Sequence, residues 1–189
     1  MKYDITKEPT TGAKRTLNDF KNMMFMLLSE KAFEEITVGE LCRRANYPRA
    51  TFYNYFDDKF DLLNYCWLSL TEEIHLEDYH LLPHDETLYI FFDRIYDFSK
   101  NNESIIRSIF VHNSEVGYMF SSFRNFMNSQ MRSIFRTCPD AEKSIVPKEI
   151  LADHYSNTLM LIWQWCTLKN QEYTKKQALQ YLEYLVGKL

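Results

Sequence analysis

Apolar residues recur at spacings of three and four along most of this 189-residue chain, which is the period of an α-helix. One such stripe runs over residues 14–30 and another over residues 57–76. Only four glycines and five prolines interrupt the pattern, so long helices are favoured over many short strands. The predicted fold class is therefore all-α, with about nine helices. These cover residues 14–30, 37–45, 48–55, 57–76, 86–101, 103–112, 116–136, 147–170 and a last stretch that begins at Thr174.

The segment TVGELCRRANYPRATFYNYFDDK, residues 37–59, predicts two short helices joined by a tight corner. Thr37 can cap the first helix, and Glu40 three residues later completes a capping box. Asn46 stands at the corner, where its tolerance of the left-handed conformation is useful. Pro48 fits the first position of the second helix, because a missing N–H costs nothing there. This arrangement is typical of a helix-turn-helix, whose second helix enters the DNA major groove.

The same segment resembles the DNA-binding domain of the Tet repressor (TetR) family of bacterial transcription regulators, over about residues 14 to 65. The matching residues are Ile36-Thr37-Val38, Ala45, Arg49-Ala50-Thr51-Phe52-Tyr53, Tyr55-Phe56, Lys59 and Leu62-Leu63. The corner Ala45-Asn46-Tyr47-Pro48 departs from the family, because the usual Gly and Ser are both replaced. The segment Leu161–Cys166 also loosely resembles a subgroup that includes the co-activator of dihydroxyacetone kinase genes.

The resemblance implies three regions and a function. Residues 1–13 would be a flexible arm, residues 14–58 the DNA-binding domain, and residues 59–189 a helical regulatory and dimerisation domain. The protein would be a cytoplasmic repressor that binds a palindromic operator as a homodimer and is released by an effector. The alternatives are a TetR-like co-activator or regulator controlled by a partner protein without a small ligand, and a helical protein-interaction module.

Three sets of residues follow from this reading. The DNA-binding candidates are Lys14, Arg15, Thr37, Arg49, Ala50, Thr51, Tyr53, Asn54, Tyr55 and Lys59, of which Arg49, Thr51 and Asn54 are expected closest to base edges. The candidates for an apolar effector pocket are Tyr65, Trp67, Phe91, Tyr96, Phe110, Phe123 and Phe126, each of which also suits a packed core. The dimer-interface candidates are Tyr155, Leu159, Ile162, Trp163, Tyr181, Leu182 and Leu185.

The charge distribution is compatible with DNA binding without demonstrating it. Residues 1–56 hold nine Lys/Arg and seven Asp/Glu, whereas residues 57–189 hold thirteen and nineteen. These balances of +2 and −6 account for the net charge of −4. The four scattered cysteines predict free thiols in a reducing cytoplasm. Since no stretch approaches about 18 uninterrupted apolar residues, no membrane span is expected.

Other functional classes find little support in the sequence. The chain lacks G-x-S-x-G, a phosphate-binding glycine loop, H-E-x-x-H and a dinucleotide fingerprint, so an enzyme is not expected. The only His/acid cluster is His75, Glu77, Asp78, His80, His84 and Asp85, and its spacing matches no zinc template. Neither a metal nor a cofactor is therefore expected. The effector, the operator and the direction of regulation stay open.

Overall fold

The computed structural model describes residues 9–76, 78, 86–136, 144–169 and 173–187. Within these ranges the chain forms nine α-helices, one short 3-10 helix and no strand, so the predicted all-α class is confirmed. The helices are α1 (Thr11–Leu28), α2 (Val38–Ala45), α3 (Arg49–Tyr55), α4 (Lys59–Glu73), α5 (Thr87–Asn101), α6 (Glu103–His112), α7 (Tyr118–Arg136), α8 (Lys148–Thr167) and α9 (Lys175–Val186). The 3-10 helix is Phe33–Glu35. No helix in these ranges has the length and apolar character needed to cross a membrane.

Helix α1 begins three residues before the predicted start at residue 14. The side chain of Thr10 caps it by accepting from the Ala13 N–H at 3.3 Å. Thr11, Gly12 and Ala13 are therefore helical, although the sequence places them in the N-terminal arm. Residues 1–8 of the predicted arm lie outside the described part of the chain.

The chain divides into two compact units. The first comprises the described residues of Met1–Leu70 together with Ser104–Ser122. Its core is aromatic: the Phe20 ring meets Phe52 edge-on at 5.3 Å and Phe56 edge-on at 6.2 Å, and all three side chains are fully buried. Burying large apolar rings is the main force that holds so small a bundle together.

Asn113, at the end of α6, is the polar centre of the first unit and is only 3% exposed. Its Nδ2 donates to the carbonyls of Leu28 (2.9 Å), Lys31 (3.3 Å) and Ile109 (2.9 Å), and its Oδ1 accepts from the Phe33 N–H (2.8 Å). Buried polar groups of this kind are stabilising only when they are hydrogen-bonded. Asn113 therefore ties the C-terminal end of α1 and the 3-10 helix to α6.

The second unit comprises the described residues of Thr71–Glu103 and Phe123–Leu189. In it, Trp163 of α8 donates its indole N–H to the Ser99 hydroxyl of α5 at 2.7 Å, a buried bond. Lys175, at the start of α9, pairs with Asp93 (2.6 Å) and Asp97 (2.8 Å) of α5. Thr174 caps α9 in a complete capping box, as its predicted position at the helix start requires. Polar contacts thus join both α8 and α9 to α5.

Candidate nucleic-acid interface

Helix α2 begins where its cap residue predicts. The Thr37 hydroxyl accepts from the Glu40 N–H at 3.2 Å, which satisfies one of the free amides of the first turn. The expected reciprocal bond from the Glu40 side chain is not formed. Glu40 Oε1 instead accepts from Lys31 Nζ at 2.8 Å. The cap is therefore confirmed, and the capping box is not, because Lys31 competes for the carboxylate.

The corner between α2 and α3 depends on Asn46, whose φ of 59° and ψ of 41° are left-handed. The next N–H, that of Tyr47, donates back to the Cys42 carbonyl at 2.9 Å and closes the end of α2. The Tyr47 hydroxyl donates to Asp19 Oδ2 of α1 at 2.7 Å. Asn46 therefore supplies the backbone shape of the missing Gly, and Tyr47 fastens the corner to α1.

Helix α3 begins at Arg49, one residue later than predicted, because Pro48 takes the cap position with an extended backbone. The Thr51 N–H donates to the Pro48 carbonyl at 3.0 Å. Phe52 and Phe56 are fully buried and hold α3 against α1 through the Phe20 ring. The opposite side of α3 carries no buried apolar side chain. Among the predicted DNA-contacting residues of α3, Arg49, Ala50, Tyr53 and Asn54 are exposed, and Thr51 and Tyr55 are half-buried.

The cations of the first unit differ in how far they are already paired. Arg44 forms a two-pronged ion pair with Glu30, which raises the pKa of the guanidinium and lowers that of the carboxyl. Arg15 is exposed and lies 4.0 Å from Asp19. Lys14 and Arg49 are exposed, and the side chain of neither makes a hydrogen bond or ion pair with another described residue. Those two charges are therefore available to a phosphate.

The hydrogen bonds of Lys59 argue against the phosphate contact that the sequence predicts for it. Its ammonium donates to three backbone carbonyls, those of Phe33 (2.9 Å), Glu34 (2.9 Å) and Ile36 (2.8 Å), and it lies over the Phe33 ring at 4.7 Å. A lysine has three donors, so none remains for a phosphate. Burial lowers the pKa of this ammonium. Lys59 holds the 3-10 helix in place, a role that the sequence does not reveal.

The seven predicted pocket residues are divided between the two units. Tyr65, Trp67 and Phe110 belong to the first unit, and Phe91, Tyr96, Phe123 and Phe126 belong to the second. Several of them are engaged in core contacts. The Trp67 indole N–H donates to the Ser122 hydroxyl at 3.1 Å, and the Tyr96 hydroxyl donates to the Tyr173 carbonyl at 2.8 Å. An open surface pocket of about 390 Å³ in the second unit is lined by none of these seven residues. Its lining is polar and consists of Asn125, Asn128, Ser129, Arg132 and Arg136 of α7.

Five of the seven predicted interface residues are buried inside the second unit, which argues against a place for them in a dimer interface. These are Tyr155, Leu159, Ile162, Trp163 and Leu182, each at most 7% exposed. Tyr181 and Leu185 are exposed at 41% and 46%. Three other exposed apolar residues of α8 and α9 were not selected from the sequence. Leu161 and Trp165 of α8 are exposed at 48% and 47%, and Tyr184 of α9 at 88%.

The cysteine and histidine positions offer no further site in the described ranges. Cys42, Cys66 and Cys166 are free and buried, and burial raises the pKa of each thiol, which disfavours the reactive thiolate. Cys138 lies outside the described residues. So do Glu77, His80, His84 and Asp85 of the His/acid cluster, and the described residues contain no group of side chains that could hold a metal.

The class of protein follows from this geometry. A short capped helix, a left-handed corner and a second short helix with a polar outer side form a helix-turn-helix, as found in DNA-binding proteins. Residues 25–66 match the family model described as bacterial regulatory proteins, tetR family. The matched residues contain α2 and α3, so the helix-turn-helix region of the chain is similar to that of this family of bacterial regulators. No curated protein is matched by the sequence.

Solved structures share the fold over nearly the whole chain. A candidate transcriptional regulator of Pseudomonas aeruginosa PAO1 has a TM-score of 0.66 at 16% identity, covering 92% of this chain and 89% of that chain. A candidate TetR-family transcriptional regulator of Syntrophomonas wolfei strain Goettingen has a TM-score of 0.66 at 15% identity, covering 91% and 93%. The dihydroxyacetone kinase operon activator DhaS has a TM-score of 0.58 at 17% identity, covering 90% and 94%.

Proposed function

We propose that this regulator is a repressor that binds a palindromic operator as a homodimer and leaves it when an effector binds. The observation that carries the DNA-binding part is the division of α3 into two sides. Phe52 and Phe56 are fully buried, whereas Tyr53 and Asn54 are exposed on the helix that a helix-turn-helix places in the major groove. In this proposal residues 14–58 recognise the operator and residues 59–189 serve regulation and dimerisation.

The exposed side of α3 has the chemistry that base recognition requires. Asn54 can bond an adenine through both its amide oxygen and its amide nitrogen, and the Thr51 hydroxyl and methyl groups suit either a base edge or a thymine methyl. Tyr53 is 44% exposed, and its hydroxyl suits a phosphate or a base edge. Each good two-bond contact contributes about 1–3 kcal/mol of discrimination against the wrong base.

The double variant Thr51→Ala, Tyr53→Ala tests the role of α3. The operator of the wild-type protein is first identified by selecting bound fragments from the genome of the source organism. We expect the variant to lose the footprint at that operator while keeping weak, salt-sensitive binding to any duplex. The matched control is Ser133→Ala, an exposed hydroxyl on α7 in the second unit. A footprint that survives in the double variant removes α3 as the recognition helix.

A homodimer is supported by apolar surface on the last two helices. Leu161 and Trp165 stand one helical turn apart on α8, and Tyr181, Tyr184 and Leu185 stand on α9. Adjacent exposed apolar residues on two helices are typical of a protein interface. Two-fold symmetry would also give the pair of recognition helices that a palindromic operator requires.

The pair of single variants Leu161→Glu and Tyr184→Glu tests this surface. A charge at either position is expected to convert the dimer to a folded monomer, because it would be buried without a partner. Sedimentation equilibrium measures the mass, and circular dichroism confirms the helices. Val116→Glu is the matched control, since Val116 is 92% exposed but lies in the first unit. If both variants stay dimeric, the interface lies elsewhere.

The effector part of the proposal is supported by the open polar pocket on α7. Its amide, hydroxyl and guanidinium groups favour a polar or anionic ligand over the apolar one that the aromatic composition suggests. Arg132 already forms a two-pronged pair with Asp153, so Arg136 is the more available cation. A ligand identified through the genes beside the operator should raise the melting temperature of the wild type and not of Arg136→Ala. An equal rise in both proteins excludes this site.

A further inference from the structure

Gly39 lies in the first turn of α2, and its backbone does not require a glycine. It has no positive φ, unlike Gly187 at 72°. Glycine also destabilises a helix relative to alanine, so it is a poor choice for this position on backbone grounds alone. The space that a side chain would occupy is already filled. A Cβ at position 39 would overlap Nη2 of Arg49 and would lie 3.2 Å from Cζ and 3.4 Å from Nε.

The Arg49 guanidinium therefore lies on α2, although its Cα belongs to α3. No hydrogen bond or ion pair joins it to another described residue. Arg44, in contrast, is paired with Glu30 on the same unit. A charged group that is held against a helix without a carboxylate has its donors free for a ligand.

The position of this guanidinium bears on what it contacts in DNA. In a helix-turn-helix the second helix reads base edges, whereas the first helix crosses the phosphate backbone. We propose that Gly39 makes Arg49 a phosphate-binding residue and not a base-reading one, by leaving room for the guanidinium to lie on α2. The inference rests on the proposed DNA-binding role of α2 and α3, and it changes the role expected for Arg49 from the sequence.

The two roles differ in what they do to binding. A guanidinium binds a phosphate through two parallel N–H bonds, and this contact is independent of sequence. Each phosphate contact adds about 0.9 to the slope of log affinity against log salt concentration. A guanine contact instead changes the preference at one base pair by about 5- to 150-fold. Salt slope and base preference therefore distinguish the two roles.

The experiment uses the full-length protein and its selected operator. Affinity is measured by fluorescence anisotropy at several salt concentrations, for the operator and for a set of single-base-pair variants. The proteins are wild type, Arg49→Ala, Arg49→Lys, Gly39→Ala, the double variant Gly39→Ala with Arg49→Ala, and Gly12→Ala. Gly12→Ala is the matched control, because Gly12 is also helical and a Cβ there would have no neighbour within 4 Å.

We expect Arg49→Ala to weaken all operator variants alike, by about tenfold, and to lower the salt slope by about one. Arg49→Lys should restore most of the slope, because a lysine still binds a phosphate as a point charge. Gly39→Ala should displace the guanidinium, lower the slope and alter the preference at one base pair. That altered preference should vanish in the double variant, and Gly12→Ala should match the wild type.

Two results would overturn the inference while leaving DNA binding intact. One is an Arg49→Ala variant that loses the preference at a single base pair and keeps the wild-type salt slope. The other is a Gly39→Ala variant that cannot be distinguished from Gly12→Ala in slope and preference. A wild-type protein that binds no duplex overturns the proposed function itself, and the inference with it. Thermal melts of every variant confirm that each measurement reports on a folded protein.

Discussion

Helices α3 and α8 differ in how sharply they separate buried from exposed side chains. In α3 the buried residue is the large apolar Phe52, followed by the buried Phe56 at the C-terminal cap, and the polar residue Asn54 is exposed. In α8 large apolar residues occur on both sides, so that Trp163 is 7% exposed and Trp165 is 47% exposed. The orientation of α3 can therefore be inferred from residue types, whereas that of α8 cannot.

The reason for the difference is physical. An amphipathic helix with one apolar stripe has one favourable orientation toward the core. A helix that is apolar all round has several orientations that bury similar area, and only packing against its neighbours selects among them. In α8 the choice is made partly by one polar contact, the buried bond from Trp163 to Ser99. Nothing near Trp163 in the sequence points to a serine 64 positions earlier.

The two tryptophans of α8 give the largest expected effect. Trp163→Ala should destabilise the protein by about 3–5 kcal/mol, because it leaves a cavity and removes the partner of the Ser99 hydroxyl. Trp165→Ala should change the stability of the protomer little, and should weaken self-association if the surface on α8 and α9 forms the dimer. Urea unfolding of each variant at equal concentrations, combined with sedimentation, measures both quantities.

Protein concentration separates the two effects further. Because dimerisation stabilises the folded state by mass action, Trp165→Ala should lower the dependence of the melting temperature on concentration. Trp163→Ala should lower the melting temperature at every concentration. Equal destabilisation by the two variants would mean that the burial difference between these side chains has no energetic consequence, and the contrast between α3 and α8 would fail.

Phe52 and Tyr53, two neighbouring aromatic residues of α3, give the second test, with a smaller expected effect on stability. Phe52→Leu should cost about 1–2 kcal/mol, since it removes part of a fully buried ring that packs against Phe20 and Phe56. Tyr53→Leu should stay within about 0.5 kcal/mol of the wild type, because an exposed position tolerates substitution. Operator affinity should show the reverse order, falling more for Tyr53→Leu than for Phe52→Leu. An operator affinity that depends only on stability would contradict the proposed outer role of Tyr53.

The features that could be predicted from the sequence are local ones. Thr37 caps α2 through an N–H three residues away, and Asn46 forms the corner by its own backbone. Each depends on the residue's own chemistry and its immediate neighbours. The all-α class follows in the same way from periodicity, which extends over whole helices.

The features that could not be predicted depend on distant partners. Lys59 meets carbonyls 23 to 26 positions earlier, and Asn113 meets those of Leu28 and Lys31 more than 80 positions earlier. A backbone carbonyl has no identity in the sequence, so no pattern of residue types indicates these bonds. The role of Gly39 could not be predicted for a related reason. It depends on Arg49 of α3, whose guanidinium fills the space beside Gly39 on α2. A glycine inside a predicted helix is the one signal that could have drawn attention to it.

Two surface ion pairs, one in each unit, give the smallest expected effect. Arg44 lowers the pKa of the Glu30 carboxyl, chiefly by hydrogen bonding, and Arg132 lowers that of Asp153 in the same way. A carboxyl whose folded pKa lies below its unfolded pKa stabilises the fold above the unfolded value, and this contribution is lost as pH falls through the folded value. Both pairs should therefore contribute at neutral pH and stop contributing in acid.

Glu30→Gln and Asp153→Asn should each reduce the loss of melting temperature between about pH 6 and about pH 2, because neither variant has that carboxylate to protonate. The changes should be small and should shrink further in high salt, since both pairs are solvent-exposed. Glu115→Gln, at an exposed carboxylate between α6 and α7, is the matched control. Melting curves that keep the wild-type pH profile in both variants would show that neither pair contributes to stability. A change in only one variant would show that the two units differ in their electrostatics as well as in their packing.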